Sequence, residues 1–301
     1  MKHVVSVSLG SSKRNHSVEA EFLGEQFKIE RIGTDGNWDK ALGLIRELDG
    51  KVDAFGMGGI SLYVYAGDNK WVLRDAKKLL AEAKKTPMVD GGGIKNVLER
   101  QSMEWAAREG LIDFQGKKAL MVCAVDRPGM AKGLVDLGCD TVFGDLIYAL
   151  GIPVRVRSLK TVAAIAYIMA PIVVNMPFDK LYPTGEKQDV IIPKFAKYYY
   201  EADIITGDFL YIRRYLPDNL DGKIIITNTT TKEDLQLLKE RGVKLLLTTT
   251  PEMEGGRSFG TNVIEAAVVS LIGKPADKIT QDDYNKVLKE LDLKPGVIHL
   301  N

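Results

Sequence analysis

Cysteine is nearly absent: Cys123 and Cys139 are the two thiols in 301 residues. They provide neither a disulfide framework nor a metal-ligand spacing, which favours a reducing compartment. Histidine is almost as scarce, and His3, His16 and His299 are dispersed, so no first-row metal cluster is expected. An excess of one charge is missing too. Lys plus Arg number 41 against 40 Asp plus Glu, a formal net charge of +1, which gives no electrostatic ground for a nucleic-acid or anionic-membrane partner. Long hydrophobic runs are lacking. The longest apolar segment, Val162 to Val174, contains Pro171 and is too short to span a bilayer. The N-terminus enters a strand-like run, His3–Leu9, without a signal-peptide pattern. These absences predict a cytoplasmic protein with no membrane and no nucleic-acid partner. A homodimer is compatible with the sequence.

What is present is ordinary for a globular chain: 45% hydrophobic and 27% charged residues. Strand-like and helix-like runs alternate from end to end, which predicts an α/β fold of parallel sheets covered on both faces. In the first third the strands fit His3–Leu9, Phe27–Ile32, Val52–Gly56 and Pro87–Asp90, with helices at Ser17–Leu23, Trp38–Leu48, Asp75–Lys85 and Ile94–Glu109. Later strands include Val154–Arg157 and Ile172–Asn175. The 301 residues allow two parallel-sheet domains. Residues 1–115 form a substrate-binding α/β domain in this reading, and 116–261 a Rossmann-like nucleotide-binding domain. Residues 262–301 supply C-terminal helices that pack back toward the first. The helix Asn262–Ile272 is apolar on nearly every side, as a buried helix is. The stretch 177–193 reads as a surface loop.

The chain is organised around Lys117 to Gly138. Ala119–Val125 is an apolar run of strand length, Asp126-Arg127-Pro128-Gly129 breaks it, and Met130, Leu134 and Leu137 recur at helical spacing. Strand, tight turn and helix open a βαβ unit, whose turn binds phosphates on free backbone N–H groups in dinucleotide folds. Asp126, Arg127 and Gly129 are therefore candidate cofactor contacts, although no G-x-G-x-x-G occurs. Asp145 follows the next strand, where such folds place the acid that bonds a ribose hydroxyl.

Ligands of open α/β sheets collect beyond the carboxyl ends of strands. After the first strand stands Gly10-Ser11-Ser12-Lys13-Arg14-Asn15-His16-Ser17, with hydroxyls, cations and a histidine. Gly56-Met57-Gly58-Gly59 and Asp90-Gly91-Gly92-Gly93 follow the third and fourth strands. Glycine lets backbone amides approach an anion, yet glycines after strands also simply make turns. His16 fits a general acid/base or a polar cap. Asp90 and Lys95 flank the triple glycine and fit a proton-transfer pair, but Asp90 also fits a helix cap. Two late strands end in Thr227–Thr231 and Thr248-Thr249-Thr250. The second leads into a polar tract that holds Arg257, read as a binding loop with Arg257 its anion contact.

Two α/β domains, a dinucleotide-like second sheet and a late buried helix resemble the shikimate/quinate dehydrogenase family. That family holds its substrate carboxylate with a serine pair after the first strand, a place that Ser11 and Ser12 occupy here. Its Lys–Asp proton-transfer pair corresponds by position to Lys95 and Asp90, though the motif N-x-T-x-P-x-K is absent. Its G-A-G-G-A turn is replaced by Val125-Asp126-Arg127-Pro128-Gly129. The resemblance implies an oxidoreductase moving a hydride between NAD or NADP and a small hydroxy or keto carboxylic acid. Ser11, Ser12, Lys13 and Arg257 would bind substrate. Lys95, Asp90 and His16 would carry the catalysis. Asp126, Arg127, Gly129, Asp145, Thr249 and Thr250 would hold the cofactor. The alternative is a non-redox enzyme or sensor that binds a phosphorylated or carboxylated metabolite in an interdomain cleft.

Overall fold

Short runs of β-branched and aliphatic residues become buried parallel strands, and amphipathic segments between them become helices. A computed structural model represents the chain, with residues 1–66, 69–177, 190–250, 252–253, 257–258, 260–274 and 278–301 described. The chain divides into two compact units.

The first unit comprises Met1–Ile94, Ile168–Lys187 and Phe259–Leu293. Its sheet contains β1 (Lys2–Ser8), β2 (His16–Phe22), β3 (Glu25–Gly33), β4 (Ala54–Gly58) and β7 (Met88–Val89), in the order β2-β3-β1-β4-β7. The four strands from β3 to β7 are parallel, and β2 is an antiparallel edge. β5 (Tyr63–Ala66) and β6 (Asn69–Val72) form a separate antiparallel pair. Two helices, α1 (Trp38–Leu48) and α2 (Ala76–Glu82), supply Ala41, Ile45, Ala76 and Leu79 to a core that includes Val5, Val7, Phe55 and Met57. Asn37 caps α1 by accepting from the Lys40 amide. The late helices α9 (Thr261–Ile272) and α10 (Gln281–Leu291) belong to this unit. Gly56 and Gly91 make room for α9: a Cβ at Gly56 would lie 2.7 Å from Asn262 O, and one at Gly91 2.5 Å from Thr261 Oγ1.

The second unit comprises Lys95–Tyr167, Gln188–Ser258 and Lys294–Asn301. Its strands are β8 (Lys118–Met121), β9 (Asp140–Phe143), β10 (Ile204–Thr206), β11 (Ile224–Thr227), β12 (Leu245–Thr248) and β15 (Gly296–His299), in the order β15-β12-β11-β10-β8-β9. All pairings are parallel except that of the edge strand β15. Counted from β8, the parallel strands run 2-1-3-4-5, a Rossmann-like, doubly wound order. Apolar layers lie on both faces, one around Met103, Met121, Met130 and Phe143, the other around Leu120, Tyr199, Ile205 and Leu246. Both units are thus α/β, and no described helix is long and apolar enough to cross a membrane.

The first unit ends at Ile94, not near 115. The reason lies in α3 (Gly92–Arg108), which places Met103 and Ala106 in the second unit's core. Residues 17–23, read as a helix, form most of β2, because seven residue pairs with β3 outweigh the helix preference of Glu and Ala. The expected strand at 172–175 is instead the end of helix α5 (Leu159–Val173), which continues through Pro171, and only one isolated bridge, Phe143 to Val156, forms in the expected strand at 154–157. Most of the expected loop at 177–193 lies outside the described residues.

Candidate functional site

In the second unit the strand order reverses between β8 and β10, and a doubly wound sheet places its ligand beyond that point. The segment after β8 enters α4 (Pro128–Asp136) through Arg127. Arg127 is 4% exposed. Its guanidinium donates to Glu99 Oε1 at 2.5 Å and to Asp208 Oδ2 at 2.7 Å, with Asp126 Oδ2 at 3.5 Å. Asp208 follows β10, so this ion pair closes the reversal point itself. Burial disfavours the Arg127 charge, but Glu99, Asp208 and Asp126 overcome that and hold it protonated. The helix-start amides that would seat a phosphate are also taken. Gly129 N donates to Asn96 Oδ1 at 3.1 Å and Met130 N to Glu99 Oε2 at 3.2 Å. A Cβ on Gly129 would lie 2.6 Å from the Asn96 backbone, so its missing side chain admits α3, not a ligand.

Asp145 is buried and accepts from the amides of Ala124 (3.1 Å) and Val125 (2.9 Å). Burial raises its carboxyl above the usual range despite those bonds. It braces the turn and does not face a ribose. Lys95 donates to Asp126 Oδ1 at 3.1 Å. Burial works against the Asp126 charge, but Lys95 and Arg127 outweigh it and hold the carboxyl low. Thr249 and Thr250 are buried. Thr250 Oγ1 donates to Asn228 O at 2.8 Å, and Asn228 in turn donates to Asp208, while Thr249 Oγ1 has no partner among the described residues. Arg257 lies in β14 (Arg257–Ser258), paired with Met253; its side chain is outside the described residues.

The first unit differs. Its parallel strands run 2-1-3-4 counted from β1, so the reversal falls between β1 and β4. Small residues line that rim: Ser8 and Gly10 on one side, Gly58 and Gly59 on the other. A Cβ on Gly58 would lie 2.9 Å from Ser8 Oγ, and one on Gly59 3.0 Å from Gly10 N. The Gly10–Asn15 loop is pinned by its own oxygens and by Asp35 and Gly33. Ser12 N donates to Asp35 Oδ1, Lys13 N to Ser11 Oγ, Arg14 N to Ser11 O and Asn15 N to Ser12 O. Gly33 N donates to Asn15 Oδ1 at 2.6 Å. The expected backbone cradle for an anion is therefore not formed, since these amides have partners.

Cations stand there instead. Arg31 donates from Nη1 to Ser11 O and from Nη2 to Ser8 Oγ, both at 3.0 Å. Gly10, without a Cβ, leaves room for that guanidinium. Burial first, then the nearby Arg14 charge, pulls the Arg31 pKa below its ordinary value. No carboxylate lies within ion-pair distance of Arg31 among the described residues. Two of its five N–H groups are engaged, and Ser8 Oγ accepts twice while keeping its own proton to donate. Lys13 and Arg14 are exposed beside it. His16 stands opposite Arg31 in the β2–β3 register, with its Nδ1 3.0 Å from Arg14 O.

Asp90 serves as a brace. It accepts from Leu62 N at 2.5 Å and Gly92 N at 2.9 Å, which ties the β7 end to the start of α3. Of the two residues expected to move a proton, Lys95 bonds Asp126 and Asp90 bonds these two amides. Nearby stands Glu265 of α9, 2% exposed, bonded through Oε1 to Tyr284 Oη at 2.8 Å and Gly93 N at 3.2 Å. Burial, then the Asp90 charge, pushes its carboxyl up to about 8. Its Oε2 has no partner among the described residues.

Sequence reasoning names Ser11, Ser12, Lys13 and His16 but misses Arg31, Ser8 and Glu265. The first was legible. Phe27, Ile29, Arg31 and Gly33 share one face of β3, and Phe27, Ile29 and Gly33 are buried. A guanidinium in that file is out of pattern. Glu265 is likewise the one charge in an otherwise apolar helix.

Among curated proteins, none matches the sequence. Similar solved structures include one described as a galactofuranose binding protein, with 9% identity, 97% of this chain and 99% of that chain covered, and a TM-score of 0.39. Another is the periplasmic binding protein of the arabinose ABC transporter from Shewanella sp. ANA-3 (9% identity, 99% and 92% covered, TM-score 0.37). A third is the periplasmic ribose ABC transporter from Conexibacter woesei DSM 14684 (10% identity, 96% and 94% covered, TM-score 0.37). TM-scores this low assign no ligand to this chain. These are sugar-binding and transport components, not shikimate or quinate dehydrogenases, so the resemblance read from the sequence is corrected. The oxidoreductase reading with NAD(P) goes with it, and the filled turn at Arg127 and Gly129 supplies the physical reason. The cytoplasmic expectation is corrected on the same finding, two of the three being periplasmic. One family model, described as Domain of unknown function (DUF8753), matches residues 3–90. A second, Domain of unknown function (DUF8754), matches residues 93–300, and the chain belongs to that family.

Proposed function

We propose that the protein is a non-redox binding protein for a small metabolite bearing an anionic group, held at the carboxyl rim of the first unit's sheet. The observation that carries this reading is Arg31. It is a half-buried guanidinium bonded to a hydroxyl and a carbonyl instead of a carboxylate, at a glycine-lined strand reversal. The carboxylate that acts on it, Asp35, is exposed and bonded to the Ser12 amide, so a ligand carboxylate or phosphate would supply Arg31 with a directly bonded counter-charge. Arg14 and Lys13 add attraction from the exposed side, and Ser8 adds a hydroxyl donor. The rim of the second unit supports the same choice by contrast, since its own side chains occupy the equivalent place.

The test is thermal unfolding of the full chain with sulfate, glycerol 2-phosphate or lactate at matched ionic strength, because a ligand of the native state alone raises the melting temperature. A concentration-dependent rise that Arg31→Gln abolishes supports the reading. Equal behaviour of wild type and Arg31→Gln with all three anions defeats it.

A further inference from the structure

Charge balance at this rim separates two kinds of anion. Arg31, Arg14 and Lys13 bring three positive charges. Asp35 is the carboxylate beside them, held below the usual range chiefly by the amide and hydroxyl of Ser12. Asp35 is thereby committed to the loop, where it bonds Ser12 N at 2.7 Å. These four groups sum to two positive charges, and Lys40, which also acts on Asp35, adds a further one. A carboxylate cancels one of them and leaves Arg31 half-buried beside an unscreened neighbour. A phosphate monoester, at −1.5 to −2 near neutral pH, cancels up to two.

Geometry points the same way. Arg31 has three N–H groups left after its bonds to Ser8 and Ser11, and Ser8 has one O–H left. A planar guanidinium turns at most two N–H groups toward one oxyanion, and the Ser8 O–H makes a third donor, which suits a tetrahedral oxyanion with three terminal oxygens better than a planar carboxylate with two. The donors are side chains, since the loop amides are internally bonded, so the site is a guanidinium site and not a backbone nest. Resting on the anion-binding reading above, we infer that the first unit's rim selects a doubly charged phosphate monoester over a monocarboxylate.

The experiment is isothermal titration of the full chain with glycerol 2-phosphate, sulfate and lactate at pH 7.5 and pH 5, at constant ionic strength. At pH 7.5, glycerol 2-phosphate is expected to bind at least tenfold tighter than lactate. Between pH 7.5 and 5 the ester loses most of its second charge, its second pKa being about 6, whereas sulfate stays doubly charged. The ratio of ester to sulfate affinity is therefore expected to fall by about five- to tenfold. Arg31→Gln is expected to remove the preference for the ester. Arg14→Gln, a change at an exposed position, is expected to weaken both dianions several-fold with the melting temperature unchanged. Lactate binding as tightly as the ester, or an ester-to-sulfate ratio that ignores pH, overturns the phosphate inference and leaves the anion site standing. No binding of any of the three overturns both.

Discussion

Replacing Glu265 by glutamine is expected to abolish a pH dependence that the first unit carries in its core. Glu265 is 2% exposed, and its carboxyl sits at about 8 because of burial and the neighbouring Asp90. The folded state therefore keeps a proton that the unfolded chain releases near the ordinary glutamate value of 4.5. For an acid whose pKa is raised by folding, the contribution is fully present below 4.5 and is lost as pH rises toward about 8. At about 1.4 kcal/mol per pH unit, that interval corresponds to at most roughly 5 kcal/mol. Glutamine keeps an oxygen for Tyr284 and Gly93 but brings amide hydrogens without partners, a penalty of about 1–3 kcal/mol that does not vary with pH. The assay is urea unfolding at pH 5 through 9 in a Trp105→Phe background. Trp38 and Trp71 of the first unit then carry the fluorescence. Wild type is expected to lose stability steadily above pH 5 relative to Glu265→Gln. Parallel stability curves for the two proteins over this range would refute the reasoning and mean that Glu265 is ionised in the fold.

Arg127→Met leaves Glu99, which has no exposed surface, without its counter-charge, and is expected to cost about 3–5 kcal/mol in the second unit. Adding Glu99→Gln should recover part of that loss, and a near-neutral single variant in urea unfolding would contradict the pairing. Gly129→Ala places a Cβ 2.6 Å from the Asn96 backbone and is expected to lower stability by about 1–3 kcal/mol as α3 and α4 are forced apart. Wild-type denaturation would show that the approach is looser than described. Gly33→Ala directs a Cβ to within 2.5 Å of Ser11 O, the atom that receives Arg31. Sulfate affinity by calorimetry is expected to drop at least tenfold, and an unchanged value would remove the Ser11 loop from the site.

Much of the architecture was open to a reading of periodicity. The apolar run Ala119–Val125 overlaps β8 over its first three residues, and the late apolar helix coincides with α9. Local pattern could not choose where tertiary pairing decides. Residues 17–23 carry Glu and Ala, good helix formers, yet they pair along β3 as an edge strand. The strand β15 had no periodic signal of its own and exists by antiparallel pairing with β12.

The site divides along the same line. Residue types and their place after strands were in the sequence, which is why Ser11, Ser12, Lys13 and His16 could be named. Whether a charge at such a place faces a ligand or another side chain was not, because partners come from distant segments. Arg127 is bonded to Glu99 and Asp208, whereas Arg31, whose strand parity was legible, is hydrogen-bonded among the described residues to Ser8 and Ser11. The chain alone determined two α/β sheets and a polar, glycine-rich rim on each. Only the folded arrangement decided which rim neutralises its own charges, since ionic partners are chosen by distance in space and not by spacing along the backbone.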